Sequence, residues 1–435
     1  MNDFVVRLHK VKNENGRVAS SLDDAPIPVP DQQVLCLFDL DDVANLHGQD
    51  VVRQVGEMLA AKLCENDAVK TVLQSSLAHQ IAPPSKPVYF RVDDDIAHRL
   101  SWESLIGNGN FLALDDRWPI ARIPRGGAVP RDAAGTFVPP LRLVCVLSAV
   151  GRSGIEEWNG IYAAVRAARK RLPIHVTLFT GDEERVFDVV EALDDPDVRV
   201  RLIGAPAPDV PSLVQLLEST EPHILHLFCH GTAAGNERRL EIGSVRDFDR
   251  DEEVSSVVVR VEELAKAVAR TGTWAVVLNT CKGAEAVDDA LTHAEQVVNN
   301  GVPIAIGMRR QIDAADANAF SAAFYPMVFE RLAAALTAGP GDYTIDWVDT
   351  LLESRRRLRD IHGVDPALHD SWTVPVHYTR PGTFTLHVSP PTTSEPTVRE
   401  ELGETRVVGG LVDVLGPDAP LAVLDELRTL TGDSP

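Results

Sequence analysis

Two apolar runs decide most of what this chain can fold into. One is His223-Ile224-Leu225-His226-Leu227-Phe228-Cys229-His230-Gly231, and the other is Trp274-Ala275-Val276-Val277-Leu278-Asn279-Thr280-Cys281-Lys282-Gly283. Each has the hydrophobicity of a strand buried on both faces, and each stops at a reactive side chain followed by turn chemistry. In an open parallel sheet, ligands bind in the crevice beyond the carboxyl ends of the strands. The two runs therefore predict that His230 and Cys281 share one rim of an α/β sheet.

A free thiol with a pKa of about 8.5 is mostly protonated at neutral pH and needs a base beside it. His230 is the candidate base and Cys281 the candidate nucleophile. Gly231 has no Cβ, so its backbone is open to a substrate, and its N–H with that of Cys281 would hold the oxyanion of an acyl-transfer intermediate. Taken singly, a buried Cys and a His at a strand end are ordinary core residues. Their order is the stronger signal: His230 precedes Cys281 by 51 residues, close to the spacing of about 50 in caspases.

The flanking sequence predicts the sheet. Leu141 to Ala149, Ile174 to Phe179, Val198 to Ile203 and Val302 to Met308 read as strands. Helices are expected through Ile161 to Leu172, Asp182 to Leu193, Val210 to Glu218, Val261 to Val268 and Ala284 to Asn299. This alternation implies βαβ units, a mostly parallel sheet and helices on both faces. Upstream, Phe4 to Leu8 reads as an edge strand, Asp50 to Glu65 as an amphipathic helix and Pro87 to Val92 as a strand. Trp102 is expected to anchor a core, with Glu103 capping or pairing with an Arg. Downstream, Phe320, Phe324, Val328, Leu332 and Leu336 step by four along a long helix, Thr344 to His362 is a second helix with Arg355-Arg356-Arg357 on its solvated face, and Trp372 to Tyr378 is a closing strand.

Pro124 to Pro140, rich in Gly, Arg and Pro, reads as a loop and as a boundary. The expected organisation is an N-terminal extension over 1–34, an N-terminal α/β subdomain over 35–140, a catalytic subdomain over 141–380, a Pro/Ser/Thr linker over 381–397 and a tail over 398–435. The tail reads equally as a docking element, a pro-segment or a partner-recruiting segment. No repeat of 20 to 50 residues is present.

Two acidic features have two readings each. Asp313 and Asp316 open the long helix, where carboxylates cap free N–H groups and complement the dipole. The run from Asp247 to Glu253 is a solvated loop by its charge, or an oxygen-rich calcium site, although it lacks the ligand-and-glycine spacing of a calcium loop.

Composition narrows the function classes. The chain has 42 basic and 64 acidic residues and a net charge of −22, which argues against non-specific nucleic-acid or anionic-membrane binding. Its five cysteines are odd in number, scattered, and never Cys-x-x-Cys, so neither a disulfide framework nor a structural zinc site is expected. The N-terminal residues lack the layout of a signal peptide, and no apolar run approaches the roughly 20 residues of a membrane span. A cytoplasmic setting is the expectation.

His230-Gly231, Asn279-Thr280-Cys281-Lys282-Gly283 and Gly301 to Gly307 together resemble the CHAT domain, a caspase-like cysteine protease family of clan CD, in its bacterial type. Leu100-Ser101-Trp102-Glu103-Ser104-Leu105 is similar to that family's Pro-Trp-Glu-Leu segment, with Ser101 where the family often has Pro, and the likeness runs from about residue 35 to 378. The resemblance implies a caspase-like fold and a cysteine endopeptidase using His230 and Cys281, with no cofactor required, although some clan relatives are calcium-activated. Asp313 resembles the acidic residue that relatives place in a pocket for a basic P1 side chain, with Asp316 beside it. Bacterial relatives often act in antiviral defence, cleaving a partner encoded nearby, such as a gasdermin-like pore former. A trigger sensed by a partner or by the tail then follows by analogy. Two other readings use the same residues: an inactive caspase-like scaffold that binds a peptide, and a small-molecule thiol hydrolase.

Overall fold

The computed structural model describes residues 4–11, 17–29, 36–39, 50–78, 87–93, 97–98, 100–125, 133–204, 208–234, 237–250, 256–280, 290–310, 312–363, 365–380 and 384–389. Cys281 and the tail over 398–435 lie outside them.

Among these residues a 12-stranded sheet runs through the molecule. Its strands are β1 (Phe4–Lys10), β2 (Arg17–Asp24), β3 (Cys36–Asp39), β4 (Val88–Val92), β5 (Ile120–Ile123), β6 (Leu141–Leu147), β7 (Ile174–Thr180), β8 (Val198–Leu202), β9 (Ile224–Phe228), β10 (Ala275–Leu278), β11 (Ile304–Met308) and β12 (Pro375–Thr379). The order is β8-β7-β6-β9-β10-β11-β12-β5-β4-β1-β2-β3. From β8 to β11 every pairing is parallel. β12 returns antiparallel to β11, and β5 then joins β12 in parallel. One sheet thus carries strands from both halves of the chain.

The parity of the strands explains the layers. Along β6, Leu141, Leu143, Cys145 and Leu147 enter one core while Val144 and Val146 enter the other. The first face is covered by α1 (Val51–Leu63), α2 (Asp67–Ala78), α3 (Ile155–Ala168) and, further on, the long helix Ala314–Ala338. The second is covered by α4 (Val210–Ser219), α5 (Val261–Arg270) and α6 (Ala290–Asn299). The long helix is α7, and α8 (Leu352–His362) packs on it. This is the mostly parallel α/β sheet with helices on both faces that the alternation predicted.

Several local readings need correction. β1 is not an edge strand: it lies between β4 and β2, with Phe4, Val6 and Leu8 facing one core and Val5 another. Ala133–Phe137 and Phe384–Val388, read as loop and linker, pair in parallel in a three-stranded sheet with Gly341–Ile345. Phe384, Leu386 and Val388 alternate inward, a period of two hidden beside a Pro/Ser/Thr stretch. Thr344 to His362 is not one helix, because Gly341–Ile345 is a strand and α8 begins only at Leu352. In that helix Arg355 is fully buried rather than solvated.

Trp102 and Glu103 do form an anchor. Trp102 is buried against Phe90, with ring centroids 4.9 Å apart. The Glu103 carboxylate takes a paired contact from Arg122, Nε to Oε1 at 3.1 Å and Nη2 to Oε2 at 2.7 Å, with neither side chain exposed. The Arg355 and Arg309 guanidiniums also act on it. One carboxylate therefore serves two buried cations, Arg122 and Arg355, and the part-buried Arg309 where β5, α8 and the end of β11 come together.

Candidate active site

His230 is placed by a sharp exit from β9. The Phe228 carbonyl accepts from Ser148 N–H at 2.9 Å. The chain then leaves the main sheet as His230–Ala234, which pairs antiparallel with Glu237–Ile242, His230 opposite Glu241. The imidazole is buried, and its Nε2 lies 2.7 Å from the Val150 carbonyl oxygen in the loop between β6 and α3. A carbonyl only accepts, so Nε2 carries the hydrogen. In the neutral ring the lone pair is then on Nδ1, which makes Nδ1 the basic nitrogen. The Val150 backbone carbonyl that holds Nε2 has no sequence signature, because every residue carries such a group.

The loops around that contact are tied together by Ser148. Its hydroxyl donates to the Gly243 carbonyl at 2.6 Å and accepts from Gly181 N–H at 2.9 Å, joining the ends of β6, β7 and Glu237–Ile242. The approach requires glycine at 181, since a Cβ there would sit 2.6 Å from the Gly243 carbonyl oxygen. The following acidic run is not simply a solvated loop. Asp247 is buried, and its Oδ2 accepts from Ser244 N–H at 2.7 Å and Ser244 Oγ–H at 2.8 Å, capping the helix Val245–Arg250. Residues 251–255 of that run lie outside the described residues. Among the described residues, no group of three or more His, Cys, Asp or Glu side chains is placed to hold a metal ion.

The second strand end meets the first. β10 stops at Leu278, and Asn279 N–H donates to the Leu227 carbonyl of β9 at 2.9 Å. Beside it, Thr280 faces Gly231: a Cβ built on Gly231 would lie 3.5 Å from Thr280 Cγ2 and 3.5 Å from His293 Nε2 on α6. Residues 231 and 280, the immediate neighbours of His230 and Cys281, thus pack against one another. Thr280 is the last described residue before Cys281. An added Cβ at Gly231 would make ordinary contacts only, so the protein's own packing does not dictate glycine there.

The other described thiols are poor nucleophile candidates. Burial pushes the Cys229 thiol up to about 12, with Glu241 adding to the effect. Cys145 is raised further, by burial and then by Glu157, and Cys64 is raised by burial despite Lys70.

The acidic pair divides. Asp313 is the exposed residue before α7 and makes no side-chain cap. Asp316 is buried, and its Oδ1 lies 2.6 Å from His362 Nε2 on α8. That contact joins α7 to α8 and engages Oδ1 of the carboxylate in helix packing. At the next residue, the Ala317 carbonyl accepts from Asn279 Nδ2 at 3.0 Å, which sets the first turns of α7 against the end of β10.

These strand ends set His230 on the carboxyl rim of a mostly parallel α/β sheet with helices on both faces. The CHAT domain family model matches residues 69–338, more than half of the chain, and the chain belongs to that family. No curated protein sequence matches it. Among solved structures it is similar to the Saccharomyces cerevisiae separase–securin complex at 2.6 Å resolution, at 13% identity, over 77% of this chain and 18% of that one, with a TM-score of 0.34. The same complex at 3.0 Å matches at 12% identity over 76% of this chain and 17% of that one, again with a TM-score of 0.34. The chain therefore spans under a fifth of the separase chain it matches. No described helix is long and apolar enough to cross a membrane.

Proposed function

We propose that the protein is a cysteine endopeptidase that cleaves a specific protein partner. The observation that carries this is the packing of Gly231 on Thr280 beside a histidine whose Nε2 is held by the Val150 carbonyl. In the reaction, His230 Nδ1 takes the proton of the Cys281 thiol, and the sulfur forms a bond to the peptide carbonyl carbon. The oxyanion accepts from the Gly231 and Cys281 N–H groups. Collapse breaks the C–N bond, with the imidazolium proton going to the leaving amine, and water then releases the acyl group by the reverse proton path. Asp313 is the residue assigned to a basic P1 side chain, through a paired hydrogen bond. CHAT membership supports the further reading of a bacterial defence or cell-death role, with a partner encoded nearby as substrate and a trigger acting through a partner or residues 398–435.

The test is cleavage of a positional peptide library and of neighbour-encoded proteins, with and without calcium, beside Cys281→Ala and His230→Ala. Cleavage by wild type that both variants abolish is expected. Cleavage that survives Cys281→Ala would overturn the dyad. Turnover of small acyl esters with no peptide or protein cut would move the assignment to a thiol hydrolase, and binding of a neighbour protein without cleavage would move it to a scaffold.

A further inference from the structure

Beneath the end of β10 lies a polar cluster with no solvent exposure. Asn279 follows Ala275 and Val277 in parity and faces the α3 and α7 side of the sheet, as His226 does on β9. Its Nδ2 lies 2.8 Å from Glu157 Oε1 on α3, 3.0 Å from the Ala317 carbonyl and 3.2 Å from Ser321 Oγ on α7. Ser321 Oγ–H also donates to Glu157 Oε1. His226 Nε2 is 2.9 Å from the same oxygen but makes no hydrogen bond to it. Glu157, His226, Asn279 and Ser321 are all 0% exposed. The helices can come this close because Gly160, one turn after Glu157, leaves its hypothetical Cβ only 3.0 Å from Ala322 Cβ.

An isolated buried carboxylate is costly, and an apolar core of the same volume would satisfy packing without it. The cluster is not built for economy: Glu157 Oε2, Asn279 Oδ1 and Tyr325 Oη have no hydrogen-bond partner within the described residues. What it does achieve is directional. An amide with two hydrogens, aimed at acceptors on two different helices, sets both the rotation and the depth at which β10 ends. That point is two residues before Cys281 and one before the Thr280 that packs on Gly231.

We propose that Glu157 and Asn279 are positioning residues for the Cys281 thiol, with Glu157 holding the Asn279 amide so that the chain leaves β10 toward His230. This rests on the cysteine-protease reading but is tested apart from it, because thiol alkylation needs no substrate. The experiment compares wild type with Asn279→Ala, Glu157→Ala and Glu157→Gln, all at a temperature where each is folded by circular dichroism. Two readouts are the site-resolved rate of Cys281 alkylation by iodoacetamide across pH, and kcat and KM on a cleaved peptide.

Asn279→Ala and Glu157→Ala are expected to lose on the order of 10²-fold in kcat, the scale of a misplacement of about 1 Å, with KM within about threefold. Their Cys281 alkylation profiles should move toward that of an ordinary thiol. Glu157→Gln keeps an acceptor for the Asn279 amide and should stay within about tenfold of wild type in kcat. If Asn279→Ala matches wild type in the alkylation profile, and in kcat where a substrate exists, the cluster merely packs and the proposal fails. If wild type cuts nothing, the protease reading fails, and the alkylation profiles still decide the positioning role.

Discussion

Replacing Glu103 by Gln should be among the most damaging single changes in the molecule. The carboxylate is fully buried and meets the Arg122 guanidinium at 3.1 and 2.7 Å. Burial alone would raise its pKa, but Arg122, Arg355 and Arg309 outweigh burial and hold it below the ordinary 4.5. Gln offers one acceptor and turns an NH2 group toward the Arg122 guanidinium, leaving the buried Arg122 and Arg355 without that carboxylate's charge, whereas the part-buried Arg309 keeps Asp370 at 3.6 Å. Removing one partner of a buried pair costs about 3–5 kcal/mol. With an unfolding entropy of roughly 2 cal/mol/K per residue, a cooperative unit of this size should melt about 5 °C lower. The sign with pH follows from the lowered pKa: the stabilisation is present above the unfolded-state value of 4.5 and is lost as pH falls through the folded value. Calorimetry of wild type and Glu103→Gln from pH 8 down to pH 3 should therefore show a gap that is constant above about pH 5 and closes in acid. Activity per folded molecule should not change. A variant melting within about 1 °C of wild type at pH 7 would refute the hub argument.

Three further outcomes are expected. His377 is fully buried, and burial with Arg355 nearby pulls its pKa down to about 3, so between the ordinary 6.5 and 3 the unfolded state binds a proton that the native state refuses. Stability then falls with acid by at most about 1.4 kcal/mol per pH unit, and His377→Leu should flatten the melting-temperature profile over that range; an unchanged slope would count against it. Gly231→Ala adds a Cβ at 3.5 Å from its neighbours, so it should melt like wild type yet lose roughly tenfold to hundredfold in kcat/KM by obstructing the substrate carbonyl; full activity would remove Gly231 from the oxyanion site. Asp316→Asn should cost about 1 kcal/mol through the partly exposed His362 pair without altering P1 preference, whereas Asp313→Asn should weaken selection for a basic P1 residue; library profiles changed by Asp316→Asn alone would reverse that assignment.

The parallel core was legible because its signals are local. Buried strands such as Leu141–Leu147 and Ile224–Phe228 are written as apolar runs between helical periods, and their ends name the rim. The elements that escaped are those whose partners are distant in the chain. Phe384–Val388 pairs with Ala133–Phe137, and neither five-residue segment announces a partner about 250 residues away. Arg355 in a run of three arginines looks solvated until Glu103 is brought beneath it.

By itself the sequence determined the α/β class and the two strand ends, one of which leads into His230 and the other into Asn279 and Thr280, since residue type and period are local properties. Only the tertiary structure decided how the site is held. The Val150 carbonyl that orients His230, the contact of Gly231 with Thr280, and the Glu157–Asn279 bond across 122 residues all arise from through-space packing. A backbone oxygen carries no residue identity, and a buried carboxylate has no meaning in sequence until folding shows which donor it meets.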